Sequence, residues 1–139
     1  VATSIYRAGV AWTGGDDEDP RAHEVLLGAQ TLPSSSALEL GGDDLKSNPE
    51  ALLIGALASC HMLWFLALAR KKGFEIASYE DDADGVLDGK RFTSATLRPR
   101  VRWAAEPPPP DAIENLHRRS HELCFIANSV NFPVEVEPS

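Results

Sequence analysis

Residues 48–73 read NPEALLIGALASCHMLWFLALARKKG. Both ends of this stretch carry helix punctuation. Asn48 is a good N-cap, Pro49 suits the first helical position, and Glu50 suits the positive end of the helix dipole. Arg70, Lys71 and Lys72 suit the negative end, and Gly73 is a natural stop. The pattern predicts one helix of roughly 36 Å at 1.5 Å per residue. That length is comparable to the diameter of a whole domain of this size. At its middle lie Cys60 and His61. The helix is apolar around nearly its whole circumference, so it has to be covered on every side.

The chain has 139 residues, which predicts a single domain over 1–139. Its 43% hydrophobic and 24% charged residues fit an ordinary globular protein. A net charge of -8 argues against a nucleic-acid partner, and no run of Lys and Arg interleaves with aromatics. The 19 uncharged residues from Ala51 to Ala69 match a bilayer span in length. Against a membrane, Ser59, Cys60 and His61 would lie at the bilayer centre, where ionisable groups are expensive. The start, VATSIYRAGVAW, lacks the basic-then-apolar pattern of a signal peptide. Two cysteines in such a chain read as reactive thiols or ligands, and the expected location is the cytoplasm.

Outward from the helix the chain alternates between strand and turn chemistry. SIYRAGVAW alternates as a strand, TGGDDEDP is a loop, RAHEVLLGAQ returns as a second strand, and LPSSSALELGGDD reads as loop or broken strand. After the helix, FEIASYEDDADGVL and KRFTSATLRPRVRW form a hairpin at Asp88-Gly89. Pro99 marks an edge or bulge. A second helix follows PPPP at 107–110, with Ile113, Leu116, Ser120, Leu123 and Cys124 on one stripe. Phe132, Val134 and Val136 share one face of a last strand. The order β-β-α-β-β-α-β predicts an α+β protein built on antiparallel hairpins. One other helix and a few strands cannot cover the long helix alone. Ala51, Gly55, Ala56 and Ala58 permit close approach by another helix, so the economical solution is a homodimer.

Several chemistries compete for the two cysteines. On a helix, Cys60 neighbours Ala56, Leu57, Leu63 and Trp64, an environment that disfavours the thiolate and is compatible with an inert core cysteine. To react, Cys60 needs a nearby cation; His61 points about 100° away around the helix and is a poor direct base. Cys124 ends the second helix, and two such cysteines could meet as attacking and resolving thiols. His117, His121 and Cys124, at i, i+4 and i+7, could instead join Cys60 or His61 around zinc, although an aqueous helix edge explains both histidines. EDDADGVLD lacks the bidentate Glu of a calcium loop. No phosphate loop or Ser-His-Asp pattern is present, and neither a metal nor an organic cofactor is expected.

The Asn48–Gly73 stretch resembles the central helix of the OsmC/Ohr family of thiol-dependent hydroperoxide reductases. SYEDDADGVL, FTSATLRPRV and HELCFIANSVNFPVEVEP resemble the segments that follow it. The similarity runs from about Tyr6 to Pro138, and the central motif Ser-Cys-His-Met looks like an OsmC-like branch. The resemblance implies an intertwined dimer with small antiparallel sheets around long central helices. It implies a peroxidatic cysteine matching Cys60, a resolving cysteine matching Cys124, and a helix-start glutamate matching Glu50. It also implies a site arginine, best matched by Arg21 in DPRAHEV, with Arg7 the weaker match. The chain departs from the family's more usual Cys-Pro-x-Ser at Phe125, Ile126 and Ala127. The implied activity is reduction of organic hydroperoxides through a Cys60 sulfenic acid and a Cys60–Cys124 disulfide, with an external dithiol of lipoyl type as reductant. The alternative is a non-catalytic dimeric module that binds a small apolar ligand. Glu50 and Cys60 lie ten residues apart on one helix, or about 15 Å along its axis. If both serve one site, Glu50 and Arg21 must cross from the other protomer.

Overall fold

The Asn48 side chain opens the long helix as its sequence predicts, its Oδ1 accepting the Ala51 N–H at 2.8 Å. The computed structural model describes residues 3–139. Helix α1 spans Pro49–Lys71. It closes on a Schellman motif, in which the Phe74 N–H reaches the Ala69 carbonyl at 2.9 Å and the Gly73 N–H reaches the Arg70 carbonyl at 3.0 Å. The chain divides into two compact units, Val1–Leu52 and Leu53–Ser139.

The first unit is an antiparallel meander of β1 (Gly9–Ala11), β2 (His23–Leu27) and β3 (Gln30–Ser34), in the order β1-β2-β3. The sequence reading had one returning strand here. The observed chain reverses at Gly28-Ala29, pairing Leu27 with Gln30. Gly28 carries the positive φ of 62° that a two-residue hairpin requires. The expected β-β-α-β-β-α-β order therefore gains one strand before α1. The acidic loop before β2 is ordered by its own side chains. Asp16 Oδ1 accepts the Glu18 and Asp19 N–H groups, and Asp19 Oδ2 accepts the Ser35 hydroxyl at 2.6 Å. Lys46 sits among Asp16, Asp19 and Asp43 at 2.9, 3.5 and 3.5 Å. Hydrogen bonds, led by those from Lys46 and Ser35, hold Asp16 and Asp19 below the usual carboxylate range.

The second unit folds the rest of α1 against a long bent hairpin. Its arms are β4 (Ile76–Asp81) with β5 (Asp84–Asp88), and β6 (Arg91–Leu97) with β7 (Pro99–Trp103). The register stays the same across the bend, from Asp81↔Pro99 to Asp84↔Thr96. The ladder breaks at Arg98, whose N–H goes to the Asp81 carboxylate at 2.7 Å, and the following Pro99 has no N–H to give. Arg98 and Arg100 point outward to Asp84, Glu137, Glu80 and Asp82, a solvated strand face. Helix α2 spans Pro110–Leu123, and β8 (Val134–Val136) lies beside β6. This last pairing is parallel, not antiparallel as expected. The helical crossover through α2 carries the chain back to the start of the sheet, which is what a parallel pair needs.

Two apolar clusters hold this unit. Ile54 and Leu57 pack with Ala95, Leu97 and Val134, while Phe65 and Ala69 pack with Leu116. Burying each large side chain contributes about 1.5–3 kcal/mol. The buried stripe of α1 is Ile54, Leu57, His61, Phe65 and Ala69. A second stripe, Ala51, Gly55, Ser59, Leu63 and Ala67, stays exposed.

Candidate active site

Cys60 lies on α1 next to that exposed stripe and is half-buried. It lines an apolar pocket of about 290 Å³ together with Leu63, Trp64, Ala67 and Phe125. Trp64 and Phe125 meet edge to face with centroids 5.5 Å apart, which braces the wall. Leu63 and Phe125 remain 59% and 66% exposed, so the wall offers apolar surface beyond the pocket.

Cys124 follows the last turn of α2 in extended conformation and is 1% exposed. The Cys60 thiol is near enough to act electrostatically on it. Both cysteines are free. The turn after Cys124 fixes the sulfur. The Ala127 N–H points at Sγ at 3.4 Å, and the Asn128 side chain donates to the Glu122 and Cys124 carbonyls at 3.0 and 2.9 Å. Burial pushes the Cys124 thiol up, and the Cys60 sulfur adds to this, against the Ala127 N–H. Cys124 is therefore held protonated at neutral pH.

Glu50 occupies the first turn of α1. Arg21 is exposed; its backbone N–H is held by Asp19 Oδ1 at 3.0 Å and its guanidinium donates to the Gly41 carbonyl at 3.3 Å. Among the described residues no carboxylate pairs with Arg21. Within the second unit Arg98, Arg100, Arg118 and Arg119 are all engaged by carboxylates. Among the described residues no cluster of three or more His, Cys, Asp or Glu side chains could hold a metal ion.

The sequence reading put His117 on an aqueous edge, whereas the structure buries it. His61 and His117 are 1% and 5% exposed, and His61 Nε2 meets His117 Nδ1 at 3.1 Å. Burial lowers both imidazoles to about 4, with the neighbouring His117 and His121 adding to the effect on His61. Both are neutral at pH 7. The signal was available in part, because His61 falls on the Leu57–Phe65 stripe at helical spacing. Nothing in the sequence pointed to Phe125 as a pocket wall.

Residues 41–139 match the family model described as OsmC-like protein. No curated protein matches the chain. The fold is similar to that of an OsmC-like protein of unknown function from Vibrio cholerae, at 32% identity and a TM-score of 0.90. That similarity covers 99% of this chain and 100% of the other. An organic hydroperoxide resistance protein from Legionella pneumophila is similar at 21% identity and TM-score 0.69, over 99% and 98% of the two chains. Another from Bacillus subtilis is similar at 20% identity and TM-score 0.66, over 98% and 100%.

Proposed function

The chain belongs to the OsmC-like protein family, and from that premise we propose that it is a thiol-dependent peroxidase that reduces organic hydroperoxides. The observation that carries this reading is the pairing of a half-buried thiol in an apolar pocket with a buried thiol near enough to feel it.

In the first step the Cys60 thiolate attacks the distal oxygen of ROOH. The O–O bond breaks, the alkoxide leaves and takes a proton to become ROH, and Cys60 is left as the sulfenic acid. In the second step the Cys124 sulfur attacks that sulfenic sulfur, forming the Cys60–Cys124 disulfide and releasing water. An external dithiol, of lipoyl type, then reduces the disulfide by thiol exchange and is itself oxidised. The site works in a homodimer, in which Arg21 of the partner subunit, oriented by Glu50 of the partner subunit, stabilises the Cys60 thiolate. We place this chemistry in the cytoplasm, where dithiol donors are kept reduced. The walls Leu63, Trp64, Ala67 and Phe125 favour a hydroperoxide with an organic tail over hydrogen peroxide. Each buried CH₂ adds about 0.8 kcal/mol to that preference.

Cumene hydroperoxide added to the reduced protein should consume both thiols within one chain, and Cys60→Ser should abolish turnover. Retention of full peroxidase activity by Cys60→Ser overturns the reading. Thiols left free in the native protein would identify a ligand-binding module instead.

A further inference from the structure

We propose that the buried His61–His117 hydrogen bond is a positioning device that keeps Cys60 and Cys124 in disulfide-forming contact by fixing α1 against α2. The inference deepens the redox reading of the two cysteines and rests on it.

His61 directly follows Cys60 on α1, and His117 lies two helical turns before Cys124 on α2. The bond therefore joins the helix that carries one sulfur to the helix that leads directly into the other. Its geometry is in-line: the rings are coplanar to 4° with centroids 5.4 Å apart, so they meet edge to edge through the 3.1 Å N···N contact. Phe65 lies over His117, with centroids 4.3 Å apart and planes 31° from parallel, and limits its rotation.

Packing alone gives no reason for the pair. The positions around His61 on its stripe are Ile54, Leu57, Phe65 and Ala69, and an apolar residue would fit the pattern. The pair even leaves His61 Nδ1 buried without a partner, which costs stability. What an apolar contact cannot supply is direction. Hydrophobic burial tolerates sliding, whereas a buried hydrogen bond weakens steeply with angle and distance and has no water to replace it. A disulfide requires its Cα atoms within roughly 4.4–6.8 Å, so a small slide of α1 along α2 separates the sulfurs.

The test uses a readout independent of peroxide. Two protein thiols react with glutathione disulfide to give the Cys60–Cys124 disulfide and two glutathione thiols, and the equilibrium constant reports how well the sulfurs are placed. The variants are His117→Phe and the double variant His61→Leu/His117→Phe. The double variant replaces both polar partners together, so it folds without an orphaned group. In the folded variants the constant should fall about tenfold, or roughly 30 mV in potential. With cumene hydroperoxide, the Cys60 sulfenic acid should form at the wild-type rate but persist longer to trapping by dimedone. A folded double variant with the wild-type constant overturns the proposal. If the wild-type protein forms the disulfide with glutathione yet ignores hydroperoxide, the peroxidase reading fails and the positioning role stands. If it forms no intrachain disulfide at all, both fall.

Discussion

Cys60 and Cys124 differ in exposure, and the difference suits a division of labour between them. In the proposed reaction the half-buried sulfur in its apolar pocket would meet the substrate, and the buried, protonated one would take the second step. Both positions were legible as residues, since a cysteine at mid-helix and another at a helix end stand out in any reading. Their proximity was not, because it depends on how α1 and α2 pack. The histidines were harder still. An imidazole has the same identity on a wet helix edge and in a core, and only burial distinguishes the two. That burial makes a pH prediction. Each imidazole titrates near 6.5 when unfolded and at about 4 when folded, so the unfolded state binds protons first on acidification. Stability should be constant in this respect above about pH 6.5 and fall as pH drops toward 4, by up to about 3 kcal/mol for one imidazole. Asp81, raised by burial, works in the opposite sense in the carboxylate range. Urea unfolding at intervals between pH 7.5 and 4.5 measures the slope, and the His61→Leu/His117→Phe variant should flatten it. An equal slope in that variant would assign the effect to other groups.

At the level of elements, α1 is the part that its own residues specify most fully. The Asn48 cap, Pro49 at the first turn and the reversal at Gly73 fix its ends through local bonds. Asn48→Ala should therefore cost about 1 kcal/mol, without changing the chemistry at Cys60. For a chain of this length that is a fall of about 4 °C in Tm by calorimetry. No change in Tm would mean that tertiary packing holds the helix start unaided. The strands were read less well for a physical reason. The turn at Gly28-Ala29 is short and lacks Asn, Asp or Pro, so the local pattern looks like one continuous strand. The turn at Gly89 announces itself through Asp88-Gly89 and was found, although the observed closing pair is Asp88↔Arg91. The parallel partner of β8 could not be read locally, because partner choice across a helical crossover is a property of the whole path.

For the molecule as a whole, the decisive feature is the exposed stripe of α1. Ala51, Gly55, Ser59, Leu63 and Ala67 leave a helix face of small and apolar residues uncovered in one chain. Exposed apolar surface of this kind marks an interaction site. The protein should run as a dimer in sedimentation equilibrium at micromolar concentration; a monomer would remove the proposed source of Arg21. Site composition can be tested separately. Cys60→Ser and Glu50→Ala chains should each be inactive alone. Co-refolded, they should recover about a quarter of wild-type activity, because half of the dimers are mixed and each has one intact site. No recovery would place Glu50 in the same chain's site, and full activity of the Glu50→Ala chain alone would place it outside.

The sequence by itself determined the long capped helix, the α+β class and the two sulfur positions, because these follow from local caps, periodicity and residue chemistry. The tertiary structure alone decided that the two sulfurs lie near each other and that His61 and His117 bond in the core. It also decided which face of α1 stays bare. Each of these depends on packing between elements distant in the chain, and residue spacing within one element does not encode it.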